Sequence, residues 1–265
     1  MSIYHKEKPH YFDRCMQSIW DEQTRKPDEI VLVEDGPLTD ELYAVVDRWE
    51  KKLGVVLLRV SLQVNGGLAK ALNQGLEVCT GECIARMDTD DIAIPERFEK
   101  QLAFLEQHEE IDVVGTYIRE IDENEHVVKE LVKFPLTHDE LYAFFAKRDP
   151  LAHPTTMFRR SFFDKVGNYR DDLHLAEDTL LWYDGFRMGC RFANMDFVGL
   201  NFRRSRDFYG RRANMRKTIE LLKYRLLHIN RDLHYGLKAD LYAIAYFGIS
   251  IAPSAIKKIL YNTLR

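Results

Sequence analysis

The chain has 265 residues, of which 46% are hydrophobic and 30% charged. This composition is typical of a globular protein with a sizeable core, and it excludes a collagen and a disordered tail. No run approaches the roughly 18 apolar residues that span a bilayer, which excludes a polytopic membrane protein. The net charge of −4 hides an asymmetry: residues 1–200 carry 24 basic and 38 acidic side chains, a balance of −14, whereas residues 201–265 carry 14 and 4, a balance of +10. A basic C-terminal quarter indicates a polyanionic partner such as phosphate groups, nucleic acid or an anionic membrane surface.

The cysteines and the N-terminus both indicate a cytosolic protein. Cys15, Cys79, Cys83 and Cys190 form no CxxC pair and have no histidine at zinc-finger spacing. We expect them to be reduced core thiols. The N-terminus has neither the apolar stretch nor the small-residue cleavage site of a signal peptide, so the sequence predicts a cytoplasmic location.

Short apolar runs alternate with amphipathic stretches over the first 90 residues. Their periodicities predict, in chain order, a helix from Pro9 to Gln23, a strand at Ile30–Val33, a helix from Thr39, a strand at Val55–Val60, a helix at Gly67–Val78 and a strand at Cys83–Met87. Apolar strands that alternate with helices predict an α/β fold with a mainly parallel sheet and helices on both faces. Ligands of such sheets bind at the C-terminal ends of the strands, where Glu34-Asp35-Gly36 and Asp88-Thr89-Asp90-Asp91 stand here.

The second part of the chain gives fewer clear signals. They predict, in chain order, a helix after Pro95, a hairpin of Asp112–Ile121 with His126–Val132, a helix at Thr137–Lys147, mixed strand and loop up to about Phe202, and helical stretches at 213–231 and 237–264. Pro253 breaks the last stretch. The hairpin is expected to be an addition to the parallel core.

Asp88 and Asp90 lie two positions apart, directly after a predicted strand. Residues i and i+2 of an extended segment point to the same side, so both carboxylates can face one hard divalent cation. Mg²⁺ or Mn²⁺ is held in this way by one or two carboxylates together with the oxygens of a diphosphate. The alternative is a solvated acidic turn, and the position at a strand end favours the metal site.

Gly66 and Gly67 open a predicted helix whose first turn contains Lys70. Backbone amides at a helix start can bind an anion, and the lysine can add a positive point charge. The alternative is a glycine-rich turn with Lys70 in solvent. The segment is neither a dinucleotide fingerprint nor a P-loop, since GxGxxG and GxxxxGKS/T are both absent.

Six motifs occur in an order that is recognisable as a set. They are Ser2-x-Tyr4-x-Lys6-Glu7-x-Pro9, Pro27-Asp28-Glu29-Ile30-Val31-Leu32-Val33-x-Asp35-Gly36-Pro37, the segment from Asn65 to Gly75, Gly81-Glu82-x-Ile84-Ala85-x-Met87-Asp88-x-Asp90-Asp91, His153-Pro154-Thr155-x-Met157-Phe158-Arg159, and Glu177-Asp178. In this order, and with these gaps, the chain resembles the inverting family 2 glycosyltransferases. It is most similar to the bacterial members that build capsular, exopolysaccharide or lipopolysaccharide chains, and the resemblance covers nearly the whole chain.

The resemblance implies the GT-A fold, in which a nucleotide-binding α/β half is followed by an acceptor-binding half. By the family pattern, Tyr4, Glu7 and Asp35 border the base and ribose of the donor. Asp88 and Asp90 are implied to hold the donor diphosphate through Mg²⁺ or Mn²⁺. The metal would offset the charge that builds up on the leaving group.

Asp178 matches the position of the family's general base, at the start of a helix in the acceptor half. Inversion at the anomeric carbon needs a carboxylate that takes the proton of the acceptor hydroxyl on the face opposite the leaving diphosphate. Glu177 and His153 are implied to contact the acceptor. Without the family context, Glu177-Asp178 fits an acidic pair at a helix N-terminus, and His153 fits a buried or capping histidine.

The segment from Arg206 to Arg212 resembles the basic loop that follows the last core strand in this subgroup. Arg211 and Arg212 are implied to bind the donor diphosphate, for which a permanently charged, forked guanidinium is well suited. Lys70 is the third cation assigned to the donor. A solvated basic helix start is the alternative for the two arginines.

The resemblance also divides the chain. It implies a GT-A glycosyltransferase domain at 1–205, with a nucleotide-binding half at 1–91 and an acceptor-binding half at 92–205, followed by a basic loop and C-terminal helical region at 206–265. Family members normally begin with a full apolar strand before the Ser-x-Tyr segment. Here Met1 stands at or inside that strand, which implies a shortened first strand or a start further upstream.

The C-terminal region is rich in Ile, Leu and aromatic residues and carries Lys257, Lys258 and Arg265 near its end. Apolar side chains in the headgroup boundary, with cations against anionic lipid, would attach it to a membrane surface. The alternative is a helix packed on the body of the protein or in a dimer interface.

The sequence therefore predicts a metal-dependent inverting hexosyltransferase. It would move a sugar from a nucleotide diphosphate donor, expected to be a UDP-sugar, to a hydroxyl of a polysaccharide or lipid-linked oligosaccharide at the cytoplasmic face of the bacterial inner membrane. One alternative is a sugar nucleotidyltransferase, whose N-terminal glycine-rich phosphate loop is missing here. The other is a non-catalytic nucleic-acid-binding or membrane-scaffold protein that relies on the basic tail, with nucleic acid the least favoured partner.

Overall fold

Two sheets flanked by helices form the framework of the protein. The structure is a computed structural model, and it describes residues 1–173, 176–204 and 215–251. One sheet has three strands and the other has six within these residues. The strand–helix alternation predicted for the first 90 residues is confirmed.

The three-stranded sheet is parallel throughout, with the second strand at its centre. Its elements, in chain order, are β1 (Ser2–Ile3), α1 (Pro9–Met16), β2 (Ile30–Glu34), α2 (Asp40–Leu53), β3 (Leu57–Ser61) and α3 (Leu68–Val78). A π-helical turn, Gln17–Asp21, extends α1. All residues of β2 are buried, because Ile30 and Leu32 belong to one hydrophobic cluster with Leu42 of α2, and Val31 and Val33 belong to another with Ala71 of α3. A strand covered on both faces has no solvent side for polar residues, which accounts for its continuous apolar run.

α2 shows how local sequence sets an element. The Thr39 side chain caps it by accepting a hydrogen bond from the Leu42 amide at 3.3 Å. Asp40 and Glu41 stand in its first turn, where negative charge stabilises the positive end of the helix dipole. It ends at Gly54, whose φ of 56° lies in the region that favours glycine.

The six-stranded sheet is mixed. Its elements, in chain order, are β4 (Cys83–Ala85), β5 (Ile92–Ala93), α4 (Arg97–Gln107), β6 (Val113–Ile121), β7 (Val127–Val132), α5 (His138–Phe145), β8 (Met157–Arg159), α6 (Arg160–Val166), α7 (Glu177–Arg187) and β9 (Phe192–Arg203). The strand order is β4-β8-β6-β9-β5, and β7 pairs with β6 as the predicted hairpin. Only β6 and β9 are parallel neighbours in this sheet, and β4 pairs antiparallel with β8. The expected parallel pairing is thus found in β1–β3 and in β6 with β9.

Two helices follow the last strand in the described residues. α8 (Met215–Tyr224) continues through a π-helical turn (Arg225–Ile229) and a last helical turn (Asn230–Asp232), and α9 (Leu237–Ile251) follows. Ile229 and Leu233 are buried in the same hydrophobic cluster as Phe145 and Trp182. The Tyr142 hydroxyl also donates to the Leu233 carbonyl at 2.6 Å. The segment between the two C-terminal helices therefore packs on the body of the protein.

The apolar side chains of α9 divide between its two sides. Ala239 and Ala243 are buried, whereas Leu237, Leu241 and Ile244 are exposed. Within the residues that the structure describes, no helix has both the length and the apolar character needed to cross a bilayer. Lys257, Lys258 and Arg265 lie outside those residues.

Candidate active site

Three carboxylates meet in the loop between β4 and β5. One oxygen each of Asp88, Asp90 and Asp91 lies within 4.8 Å of the others, and Asp91 is fully buried. The predicted convergence of Asp88 and Asp90 is present in the structure. The spacing argument did not include Asp91, although it is the next residue of the same motif.

Asp91 is held in an unusual environment for an acidic side chain. Its Oδ1 accepts a hydrogen bond from the Arg203 amide at 2.8 Å, whereas its Oδ2 is buried with no hydrogen-bond partner among the described residues. Burial, followed by the Asp90 and Asp88 carboxylates, raises the pKa of Asp91 well above its ordinary value. A nearby cation would offset both the burial and the repulsion.

Long-range hydrogen bonds position this acidic loop. The buried Arg97 donates to the Arg86 carbonyl at 2.7 Å, and Arg203 donates to the Asp90 carbonyl at 2.8 Å. Burial lowers the pKa of Arg97 to about 9. The sequence did not predict that Arg97 and Arg203 would contact the acidic loop. Arg97 could have been noticed only because it stands next to the apolar face of a predicted helix.

Tyr4 and Glu7 lie in the turn that follows β1, next to the acidic loop. The Glu7 amide donates to the Tyr4 carbonyl at 3.0 Å, and the Glu7 carboxylate accepts from the Thr89 hydroxyl at 2.8 Å. Thr89 stands between Asp88 and Asp90, so the structure brings Glu7 to the candidate metal site. The assigned contacts of Tyr4 and Glu7 with a base and ribose stay predictions.

The Asp35 carboxylate occupies the site at the start of α3 where the sequence predicted a bound anion. Its carboxylate accepts hydrogen bonds from the Gly66 amide at 2.7 Å and the Gly67 amide at 3.1 Å. The Lys70 side chain is 62% exposed, and its Nζ lies 3.8 Å from Asp171. This geometry matches the glycine-rich turn, which was the alternative for this motif. The anion at these amides is the protein's own carboxylate, and the donor role of Lys70 stays a prediction.

His153 is a buried histidine with a defined partner. Its Nε2 lies 2.9 Å from the Tyr169 hydroxyl, and its ring meets the Trp182 ring edge-on at 5.8 Å. Burial, and next the Arg86 guanidinium, lowers the pKa of His153 well below its ordinary value. The imidazole is therefore neutral at neutral pH.

Glu177 and Asp178 form the first turn of α7, as predicted, and both are half-buried. An Asp178 carboxylate oxygen accepts a hydrogen bond from the Thr179 amide at 2.8 Å. Acidic side chains at this end of a helix interact favourably with its dipole. A carboxylate at this position is the kind of group that can act as a general base.

One cavity of about 450 Å³ joins several of these residues. Asp88, His153, Glu177 and Asp178 all line it. Arg86 lines it as well, and its buried guanidinium contacts an Asp88 oxygen at 2.5 Å. Side chains of α8 and α9 form another part of the wall, which sequence reasoning did not foresee. Arg211 and Arg212 lie outside the described residues.

Comparison with known proteins identifies the family. The sequence profile described as Glycosyl transferase family 2 matches residues 1–167. The chain belongs to this family. It is a glycosyltransferase, as the sequence predicted. The family match disfavours both alternatives, the sugar nucleotidyltransferase and the non-catalytic polyanion-binding protein.

Relatives match this family 2 glycosyltransferase over nearly its full length. The amylovoran biosynthesis glycosyltransferase AmsE of Erwinia amylovora is 36% identical, covering 99% of this chain and 96% of the relative. The UDP-Gal:alpha-D-GlcNAc-diphosphoundecaprenol beta-1,3-galactosyltransferase of Escherichia coli is 29% identical, covering 100% of this chain and 92% of the relative.

Solved structures support the GT-A fold of this glycosyltransferase. S. aureus TarS 1–349 in complex with UDP-GlcNAc has a TM-score of 0.60 at 18% identity, covering 96% of this chain and 82% of TarS 1–349. The mannosyltransferase PcManGT from Pyrobaculum calidifontis, in complex with GDP-Man and Mn²⁺, has a TM-score of 0.61 at 16% identity, covering 99% and 78%. The predicted fold class is confirmed.

The acidic cluster of the glycosyltransferase fits a divalent metal ion. Carboxylate oxygens are the ligands that Mg²⁺ and Mn²⁺ prefer, and three of them converge here. The Oδ2 of Asp91, which has no hydrogen-bond partner among the residues that the structure describes, is a buried acceptor within the cluster. Two or three carboxylates leave coordination positions for the oxygens of a diphosphate.

Proposed function

We propose that this glycosyltransferase is metal-dependent and inverting, and that it moves a sugar from a UDP-sugar to a hydroxyl of a polysaccharide or lipid-linked oligosaccharide in bacterial surface polysaccharide synthesis. The observation that carries the proposal is the cavity that Asp88 of the acidic cluster shares with Asp178 of α7. Transfer needs a site for the leaving diphosphate and a carboxylate for the acceptor proton within reach of one sugar.

Asp88 and Asp90 are the proposed ligands of Mg²⁺ or Mn²⁺, with Asp91 beside them. The metal, when bound, would stabilise the negative charge of the departing diphosphate. The convergence of the three carboxylates supports this role, as does the Mn²⁺ named in the complex of the mannosyltransferase PcManGT.

Asp178 is the proposed general base. The acceptor hydroxyl oxygen forms a bond to the anomeric carbon while the bond from that carbon to the diphosphate oxygen breaks. The hydroxyl proton goes to the Asp178 carboxylate, and the nucleoside diphosphate leaves with the bonding electrons. Glu177 and the neutral His153 line the same cavity and are the proposed acceptor contacts.

The nucleotide is assigned to the first half of the chain, residues 1–91, and the acceptor to residues 92–205. Tyr4, Glu7 and Asp35 would border the base and ribose, although Asp35 also holds the glycine-rich turn. Lys70, Arg211 and Arg212 remain proposed contacts of the donor. The UDP-GlcNAc complex of TarS and the UDP-Gal in the name of the Escherichia coli relative support a UDP-sugar.

The C-terminal region, residues 206–265, is the proposed point of contact with the cytoplasmic face of the inner membrane. Leu237, Leu241 and Ile244 are exposed on α9, and apolar side chains of this kind enter the headgroup boundary of a bilayer. The Escherichia coli relative is named for a lipid-linked substrate, which supports work at a membrane surface.

The test is to incubate the full chain with UDP-, GDP- and TDP-sugars and Mn²⁺, and to follow the slow hydrolysis of the donor without an acceptor. We expect one UDP-sugar to yield UDP and free sugar, and EDTA to stop the reaction. Turnover that is unchanged in EDTA would contradict the metal role, and hydrolysis of none of the donors would contradict the proposed function.

A further inference from the structure

Tyr169 is a buried residue between α6 and α7 whose backbone is held by a distant side chain. Its N–H donates to the side-chain oxygen of Asn73 at 2.8 Å, and its carbonyl accepts from the side-chain nitrogen of Asn73 at 2.8 Å. Asn73 belongs to α3, in the half of the chain assigned to the nucleotide. The two hydrogen bonds fix where Tyr169 stands relative to that helix.

The hydroxyl of Tyr169 contacts one ring nitrogen of His153. Nε2 of this ring lies 2.9 Å from the hydroxyl, which has no other hydrogen-bond partner in the described part of the chain. Nδ1 of the same ring has no hydrogen-bond partner within residues 1–173, 176–204 and 215–251. His153 lines the cavity together with Asp88 and Asp178, so a substrate there can complete the hydrogen bonding of Nδ1.

Both groups are neutral, which leaves two ways to place their protons. Burial raises the pKa of Tyr169 above its ordinary value, so the hydroxyl keeps its proton. Burial, and next the Arg86 guanidinium, lowers the pKa of His153, so its ring carries one proton. Either the Tyr169 hydroxyl donates to a bare Nε2 and the ring proton is on Nδ1, or the protonated Nε2 donates to the hydroxyl oxygen and Nδ1 is bare.

The second arrangement leaves a buried donor without an acceptor. The hydroxyl hydrogen of Tyr169 would then be directed away from the ring, where the described residues give it no hydrogen-bond acceptor. A buried donor that loses its partner bears the full cost of desolvation. In the first arrangement the hydroxyl hydrogen is paired, and the ring proton is on the nitrogen that is left for a ligand.

We propose that Tyr169 is a positioning residue that holds His153 as the Nδ1–H tautomer, so that His153 donates a hydrogen bond to a non-reacting hydroxyl of the acceptor sugar. This bond orients the acceptor, while the reacting hydroxyl is left to Asp178. Asn73 contributes by fixing Tyr169. The inference rests on the proposed function and adds two residues to those that serve it.

NMR of the full chain with isotope-labelled histidine measures the tautomer, in spectra that correlate the ring nitrogens with the carbon-bound ring protons at neutral pH. His153→Gln identifies the signals of this residue among the nine histidines. We expect a protonated Nδ1 and a bare Nε2 in the unmodified chain. A proton on Nε2 would overturn the proposal.

Tyr169→Phe removes the hydroxyl and keeps the buried ring. We expect the Nε2 signal of His153 to move to the position of a bare nitrogen that accepts no hydrogen bond. The matched control is Tyr43→Phe, which removes a hydroxyl that accepts from the Leu38 amide at 3.2 Å, outside the cavity. The control should leave the His153 signals in place. An unchanged Nε2 signal in Tyr169→Phe would contradict the positioning role.

Transfer kinetics test the consequence for the acceptor, with a panel of nitrophenyl glycosides as acceptors and the UDP-sugar that the unmodified chain hydrolyses. We expect Tyr169→Phe to raise the KM for the acceptor by about two- to tenfold, the worth of one neutral hydrogen bond. The KM for the UDP-sugar should stay within about twofold, because the donor does not make this contact. An unchanged acceptor KM, or an equal rise for both substrates, would overturn the acceptor contact.

The failures of the two proposals are distinguishable. If the unmodified chain hydrolyses a UDP-sugar but carries the His153 proton on Nε2, the present inference is wrong and the proposed function stands. If it hydrolyses no UDP-sugar, the proposed function fails, whereas the NMR spectra still decide the tautomer. Thermal unfolding checks that Tyr169→Phe and Tyr43→Phe are folded, and the tautomer in the unmodified chain needs no variant fold.

Discussion

Arg203 donates its backbone N–H to the Oδ1 of Asp91 at 2.8 Å, which ties the end of β9 to the acidic cluster. Its guanidinium donates to the Asp90 carbonyl at 2.8 Å and lies over the Tyr11 ring at 4.1 Å. The end of β9 thus contacts two of the three residues whose carboxylates cluster, Asp90 and Asp91.

We expect Arg203→Met to lower the free energy of unfolding by about 2–4 kcal/mol, because it removes the buried guanidinium that donates to the partly buried carbonyls of Asp90, Asp122 and Glu123. It should also raise the Mn²⁺ concentration needed for half-maximal donor hydrolysis. Urea denaturation and a metal titration measure the two effects. Arg119→Met, which removes an exposed ion pair with Glu130, should change stability by less than about 1 kcal/mol. An unchanged metal requirement in Arg203→Met would contradict the positioning role.

Asp178→Asn should lower the rate of sugar transfer by about 10²–10⁴-fold, because the amide cannot take the acceptor proton. The substituted side chain retains an oxygen that can accept from the Thr179 amide, so UDP binding should stay within about twofold of the unmodified chain. Transfer to a synthetic acceptor and UDP binding by calorimetry measure these quantities. Glu177→Gln is the control and should slow transfer less. Normal transfer by Asp178→Asn would refute the base assignment.

Asp90→Asn should abolish the stabilisation that Mn²⁺ gives to the protein. A ligand at about 100 times its Kd stabilises the folded state by about 2.7 kcal/mol, which corresponds to a rise in Tm of roughly 5 °C for a chain of this size. Differential scanning calorimetry with and without Mn²⁺ measures the shift. Asp28→Asn, at an exposed position outside the cluster, should keep it. The same shift in Asp90→Asn would argue against a metal at this carboxylate.

In the metal-free protein, Asp90→Asn should not lower the stability. The Asp90 carboxylate is one of the charges that raise the pKa of the buried Asp91. Its removal relieves that repulsion, so the free energy of unfolding in EDTA should stay equal or rise. A marked fall would mean that Asp90 stabilises the loop through its charge.

The buried His153 should make the protein less stable in acid. Its folded pKa lies below the unfolded value of about 6.5, so the unfolded state binds the proton more readily. The stabilising effect of a neutral His153 is complete above pH 6.5 and is lost as the pH falls towards the folded pKa. The slope reaches at most about 1.4 kcal/mol per pH unit. Urea denaturation between pH 5 and pH 7.5 measures it.

A pair of variants isolates this histidine. His153→Gln should reduce the loss of stability below pH 6.5, although burial of the new amide lowers stability at every pH. His10→Gln changes an exposed histidine and should leave the pH dependence in place. Identical pH slopes in His153→Gln and the unmodified chain would show that another group causes the acid sensitivity.

The exposed side of α9 should contribute to membrane binding. Leu241 is 58% exposed and Ile244 is 50% exposed. The double variant Leu241→Ser/Ile244→Ser should weaken sedimentation with anionic phosphatidylglycerol vesicles by about tenfold or more, because each buried apolar side chain contributes about 1.5 kcal/mol or more. Val55→Ser removes a fully exposed apolar side chain far along the chain and should have no effect. Unchanged sedimentation of the double variant would refute the contact.

Local patterns predicted the elements well. The apolar run at Ile30–Val33 became a fully buried strand, and the hairpin around Asp122 formed where its turn residues stand. There the Asp122 carboxylate accepts from the Asn124 amide at 2.8 Å, a contact between residues two apart. Such features depend on neighbours in sequence, so the sequence is sufficient to predict them.

Contacts between distant residues were not predictable from the sequence. The family resemblance assigns Asp35 to the nucleotide, which stays a prediction, but it did not indicate that the Asp35 carboxylate also binds the amides of Gly66 and Gly67. Arg97 and Arg203 meet the acidic loop only after the sheets have formed. The antiparallel pairing of β4 with β8 likewise depends on tertiary structure, since one apolar strand does not specify its partner.

Tyr183 of α7 donates a hydrogen bond to Asp232, which follows the π-helical turn beyond α8. Asp178 lies on the same helix five residues earlier, about 7.5 Å along its axis. Because the middle of α7 is buried, a displacement of the C-terminal helices would move this helix as a unit and shift the Asp178 carboxylate. If the C-terminal region contacts a bilayer and Asp178 is the general base, as we propose, adsorption would also shift the proton acceptor, and the lipid surface would act as an effector of the enzyme as well as its location.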